Sequence, residues 1–129
     1  MANPNIVSVA SIYGECCGWA LTTGLTTTLF TVASDKLIKI NRIVCANVDG
    51  SSAADLDLLV TTSIQTSLGG TVAGGATDIY LAKTISVPAD ASLVVSDTPI
   101  YLRENDILKG GASATSDLEL FITYEVIAV

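Results

Sequence analysis

The chain has 129 residues, half of them apolar and 15% charged, with thirteen Asp and Glu against six Lys and Arg and a formal charge of −7. That length fits one domain, residues 1–129, with enough chain for a core that needs no staples. The basic residues Lys36, Lys39, Arg42, Lys83, Arg103 and Lys109 are scattered, so neither nucleic acid nor an anionic membrane is expected as a partner, because phosphate binding rests on clustered cations.

The chain opens with Met1-Ala2-Asn3-Pro4-Asn5, which lacks the basic and apolar regions of a leader and reads as a short arm, residues 1–5, stiffened by Pro4. Residues 6–13 and 20–32 are strand candidates, the second in one or two pieces. Residues 14–18 between them carry Cys16, Cys17 and two glycines, with Trp19 next as a core or interface anchor. Residues 36–49 alternate. One face carries Ile38, Ile40, Val44, Ala46 and Val48, interrupted by Arg42, and the other carries Lys39, Asn41, Asn47 and Asp49 among Leu37, Ile43 and Cys45. A period of two over this length predicts a long strand with one buried face. Asp49-Gly50-Ser51-Ser52 predicts a turn. Residues 55–62 follow as a strand with Leu56, Leu58 and Val60 on one side and Asp55, Asp57 and Thr61 on the other.

Residues 68–75 are Gly-rich and read as a loop. Residues 79–87, 92–96 and 100–103 are further strands, separated at Pro88 and Pro99, since proline cannot donate to a ladder. Glu104-Asn105-Asp106 predicts another turn. The last strand begins at Leu118, with Leu118, Leu120, Ile122, Tyr124 and Val126 on one face and Glu119, Thr123 and Glu125 opposite. Phe121 and Ile127 fall on that second face, which predicts a partner covering them. About eight strands, punctuated every ~8–12 residues, predict an all-β chain: an antiparallel two-sheet β-sandwich, jelly-roll or immunoglobulin-like.

The residues supply little chemistry. No histidine occurs, which removes the commonest general base, the Ser-His and Cys-His pairs, and most zinc sites. Three cysteines without regular spacing make no disulfide framework and are expected reduced. Asp55 and Asp57, near Asp49, are the best oxygen cluster for a calcium ion but lack the dense spacing of a calcium loop. No enzyme, metal or cofactor is expected.

Four blocks carry a family resemblance: Met1-Ala2-Asn3-Pro4-Asn5-Ile6-Val7; Lys39-Ile40-Asn41-Arg42-Ile43-Val44 with Ala46-Asn47-Val48-Asp49-Gly50; the run from Tyr80-Leu81-Ala82-Lys83 to Ser92-Leu93-Val94-Val95; and Ile100-Tyr101-Leu102-Arg103-Glu104-Asn105-Asp106-Ile107-Leu108 with Ser116-Asp117-Leu118-Glu119. Across most of its length the chain resembles small virion structural proteins of tailed bacteriophages, especially those of cyanobacteria and other marine bacteria. The resemblance implies a virion component assembled in a host cytoplasm. In particular it implies a capsid decoration protein, often a homotrimer, whose partners are its own copies and the major capsid protein. Tail, neck or fibre parts, and a displayed glycan- or receptor-binding module, are the alternatives. The expected interface residues are Pro4, Asn5, Trp19, Phe121 and Ile127.

Overall fold

A computed structural model describes residues 10–63 and 77–128. Pro4, Asn5 and the Gly-rich segment 68–75 lie outside the described residues. Within them the chain is all-β: β1 (Ser11–Ala20), β2 (Thr28–Thr31), β3 (Lys36–Asn47), β4 (Ala54–Thr62), β5 (Thr77–Val87), β6 (Ser92–Ser96), β7 (Ile100–Leu102), β8 (Ile107–Ala112) and β9 (Leu118–Ala128).

All pairings are antiparallel and form two sheets. One has the order β1-β9-β3-β6, with β7 also on β3, and the other has the order β2-β8-β4-β5. β6 pairs with residues 43–46 of β3 and β7 with residues 38–40. They act as one strand broken at Asp97-Thr98-Pro99, where proline has no N–H to give. Counted that way, the first strand pairs with the eighth, the second with the seventh, the third with the sixth and the fourth with the fifth. The chain is a long hairpin rolled into two sheets, which is the jelly-roll arrangement. The immunoglobulin-like alternative is thereby set aside.

The core lies between the sheets. Leu118, Leu120 and Ile122 of β9 meet Ile38, Ile40, Ile43 and Cys45 of β3, facing Leu56, Leu58 and Val60 of β4 and Leu108 of β8. β9 follows its sequence pattern, but β3 departs from it. A register shift between Ile40 and Arg42 inserts one residue, and from there Ile43, Cys45 and Asn47 point inward while Val44 and Ala46 point out. A β-bulge flips every later side chain to the other face. The expected face of Val44, Ala46 and Val48 is therefore wrong beyond Asn41. Asn47, now buried, has its needs met: its Nδ2 donates to Ser52 O (3.0 Å) and Val87 O (2.8 Å), and its Oδ1 accepts from the Asp49 amide (2.9 Å). Unpaired, such a buried amide costs ~1–3 kcal/mol.

Two elements differ from the sequence expectation. β1 runs through Gly14 and Gly18, which the sequence pattern left outside any strand. β8, Ile-Leu-Lys-Gly-Gly-Ala, was not expected at all. Its glycines serve close approach. The segment before β2 lies alongside β8, with the Gly110 amide donating to Thr27 O (2.9 Å) and the Ala112 amide to Thr22 O (2.8 Å). A Cβ on Gly111 would stand 2.6 Å from Gly24 O and 2.8 Å from Leu25 Cα. Both obstacles are backbone, so neither yields cheaply. Gly111→Ala is expected to lower stability by ~1–3 kcal/mol. Gly14→Ala, where a Cβ meets nothing within 4 Å, stays within ~0.5 kcal/mol. Denaturant midpoints of the two variants check the contrast.

Candidate interaction face

The acidic residues resolve into structural roles first. Asp57 is buried opposite a bulge in β5, where Lys83 and Thr84 stand against one residue of β4. Thr84 has φ 51°, a costly conformation for a β-branched residue. Its amide donates to Asp57 Oδ1 (2.7 Å), which fixes the bulge. Glu104 and Asp106 flank Asn105, itself at φ 67°, as the expected turn requires. Asp106 accepts from the amides of Ser63 and Arg103 (both 2.8 Å), and Glu104 accepts from the Asp35 amide (2.6 Å). Asp49 accepts from the amide and hydroxyl of Ser51 (2.9 and 3.0 Å), which holds its carboxyl below the usual range. Among the described residues no three His, Cys, Asp or Glu side chains gather in a metal-binding group. Cys45 is buried in the core, and burial pushes its thiol up to about 11, so it stays protonated and packs as a small apolar residue. All three cysteines are free.

What stands out instead is the outer face of the five-stranded sheet. The bulge in β3 and the register of its neighbours place Gly18, Phe121, Val44 and Val94 in one row across β1, β9, β3 and β6. The row beside it reads Ala20, Glu119, Ala46 and Ser92. Small residues flank the Phe121 ring, which is 47% exposed, and leave a hollow of about 420 Å³ whose lining includes Gly18, Ala20, Val44, Ala46 and Phe121, with Glu119 as its charged member. Two rows further along, Tyr101 is half exposed beside Lys39, whose ammonium lies 3.8 Å from Glu125. An apolar patch with a charged border is how sites of macromolecular contact are built. β5 carries a second exposed group, Ile79, Tyr80, Leu81 and Ile85.

The expected interface residues do not stay together. Phe121 is at the centre of the exposed face. Ile127 is on the same side of β9 but only 4% exposed, so it is corrected to a buried residue. It stands directly opposite Leu37 of β3, which is buried too. Trp19 points inward: its ring stacks on Phe30 (6.3 Å between centroids), and Phe30 stacks on Tyr124 (6.0 Å). This aromatic column joins β1 and β9 of one sheet to β2 of the other, so Trp19 anchors the sandwich. Sequence reasoning missed Gly18, Val44, Val94 and Tyr101. For Val44 the alternation pointed the wrong way.

No family model matches the chain, and no curated protein matches its sequence. Among solved structures it is similar to one titled "Crystal structure of infectious bursal disease virus VP2 subviral particle", at 13% identity and a TM-score of 0.31, over 95% of this chain. The chain spans 42% of that protein's length. A likeness of this degree carries no argument about function.

Tyr124 offers a check on the column. Burial, and then its hydroxyl's hydrogen bond to Glu15 Oε2 (3.0 Å), push the phenol from the ordinary 10.0 up to about 12. A folded-state value above the unfolded one favours the neutral folded form, so this contribution is complete below pH ~10 and is lost as pH rises toward 12. An absorbance titration of tyrosinate should show a component near 12 that Tyr124→Phe removes and Glu15→Gln moves down.

Proposed function

We propose that the chain is a structural protein of a phage particle, a capsid decoration module that docks on the assembled shell through the Phe121 face. The observation that carries this proposal is the row Gly18, Phe121, Val44 and Val94, an exposed apolar strip on a regular sheet with a hollow beside it. The blocks that resemble phage virion proteins favour the same use. Jelly rolls serve as capsid, lectin and cupin domains alike, so the fold by itself chooses none of them. The proposed partners are the major capsid protein and other copies of this chain. The acidic balance and scattered cations argue against nucleic acid. The sequence has no histidine and, among the described residues, no metal-holding group of His, Cys, Asp or Glu, so the proposed role is not enzymatic.

A module of this kind works by mass action. It binds the assembled lattice and not its dissociated parts, so it stabilises the assembly by RT ln(1 + [L]/Kd) at each site. Repetition over many sites lets modest contacts suffice. One apolar ring in a hollow fits such a contact, since a few central residues carry most of an interface's energy.

The test is copy number in purified particles, by quantitative mass spectrometry against the major shell protein. A count that scales with the shell subunits is expected. A few copies per particle would contradict decoration and move the chain to the tail, neck or fibre. Phe121→Asp should fold as the wild type, within ~1 kcal/mol, and fail to co-sediment with shells lacking the protein. Undiminished binding by that variant would remove the Phe121 face from the contact.

A further inference from the structure

Among the described residues the two sheets have four open edges, and three of them are guarded. An exposed edge strand offers unpaired amides and carbonyls to any other strand, and proteins blunt such edges with short strands, bulges, proline and lysine. β2 has four residues and a register shift against β8. β6 and β7 have five and three residues and are broken at Pro99. β5 is long but is bent by the bulge at Lys83 and Thr84. The fourth edge is β1. Its ten residues keep one unshifted register with β9 from Ser11 to Ala20, contain neither proline nor a cation, and carry one charge, Glu15.

The direction of its free backbone groups follows from the ladder. Just past the end of β1, the Leu21 amide donates to Leu118 O (2.9 Å). In an antiparallel pair the bonded positions alternate. The odd-numbered residues of β1 therefore bond β9, and Ile12, Gly14, Cys16, Gly18 and Ala20 turn their N–H and C=O groups to the open side. Among the described residues β9 is the only strand partner of β1.

We propose that this edge pairs with β1 of a second copy, antiparallel across a two-fold axis at Cys16, joining two five-stranded sheets into one. An isologous contact needs a self-complementary strand, and the residues choose the register. Two registers satisfy the outward groups over nearly the whole strand. One is centred on Glu15 and sets two carboxylates face to face, which is unfavourable. The other is centred on Cys16 and sets Glu15 opposite Cys17 of the second copy. It also pairs Gly14 with Gly18 and Ile12 with Ala20. Tyr13, 55% exposed on the core-facing side, gains Trp19 of the second copy as a cross-strand aromatic neighbour. The contact uses an edge and leaves the Phe121 face free, so it does not depend on the decoration proposal.

The full chain tests this by sedimentation equilibrium and by a short bismaleimide in a Cys17→Ser background, where Cys16 is the exposed thiol. A dimer is expected, joined through Cys16, whose Cα atoms would lie ~5.5 Å apart. Gly14→Pro removes an outward N–H without touching the β9 ladder, in a place open to added atoms. Cys16→Lys sets two ammonium groups across the axis on an exposed site. Each should weaken dimerisation by about tenfold or more with the fold retained by circular dichroism. If Gly14→Pro does not fold, Cys16→Lys decides. A chain monomeric at all concentrations, a dimer that survives the substitutions, or an oligomer giving no Cys16-linked product would overturn the proposal.

Discussion

The extra residue in β3 at Asn41 sets the character of the whole five-stranded sheet. Before it, Ile38 and Ile40 enter the core; after it, Ile43, Cys45 and Asn47 do. Without the bulge, Val44 and Ala46 would point inward, and the strip on which Phe121 sits would lose its floor. The same position lies where the strand opposite passes from β6 to β7, so the bulge in one strand and the break at Pro99 in its partner accommodate each other. Inserting a residue bends the strand and increases its twist, which suits a sheet that must roll over its neighbour. The inward residues of β3 beyond Asn41 and the floor of the outer face both follow from this one insertion.

A second consequence concerns charge. Asp57, Glu104 and Asp106 are buried carboxylates, and each accepts from a backbone amide that the ladders leave free: Thr84 at a bulge, Asp35 and Arg103 at turns. Thr84, Asp35 and Asn105 sit at positive φ, so the irregular points of the backbone and the buried acids occur together. A carboxylate is the strongest acceptor a side chain can offer such an amide. These acids hold loops and bulges in place.

The sequence showed the class of fold and the strands with one continuous apolar face, above all β4 and β9, where an apolar residue or Tyr124 holds every second position from Ala54 to Val60 and from Leu118 to Val126. It did not show β8, because Lys109-Gly110-Gly111-Ala112 has neither alternation nor bulk; its glycines are explained only by the segment lying against them. β1 was hidden for a related reason, since Gly14 and Gly18 read as breaks although a strand edge tolerates them. The bulge at Asn41 was invisible because Arg42 looked like a polar interruption rather than a change of phase. Ile127 shows a different limit: parity gives the side of the sheet correctly, but not whether that side is covered. Of the candidate site, Phe121 was legible as an apolar residue on a polar face, whereas Val44 and Val94 became its neighbours only through register.

The rolled hairpin buries Asp57, Glu104 and Asp106 and presents the Phe121 strip on the outer face of one sheet, where the proposed partner docks. Hydroxyl-radical footprinting of the protein free and bound to particles tests that claim most directly, because it reads side-chain exposure residue by residue. Protection of Phe121, Val94 and Tyr101 on binding is expected, with Tyr80 and Ile79 unchanged. Protection of the β5 side chains with Phe121 still reactive would contradict it.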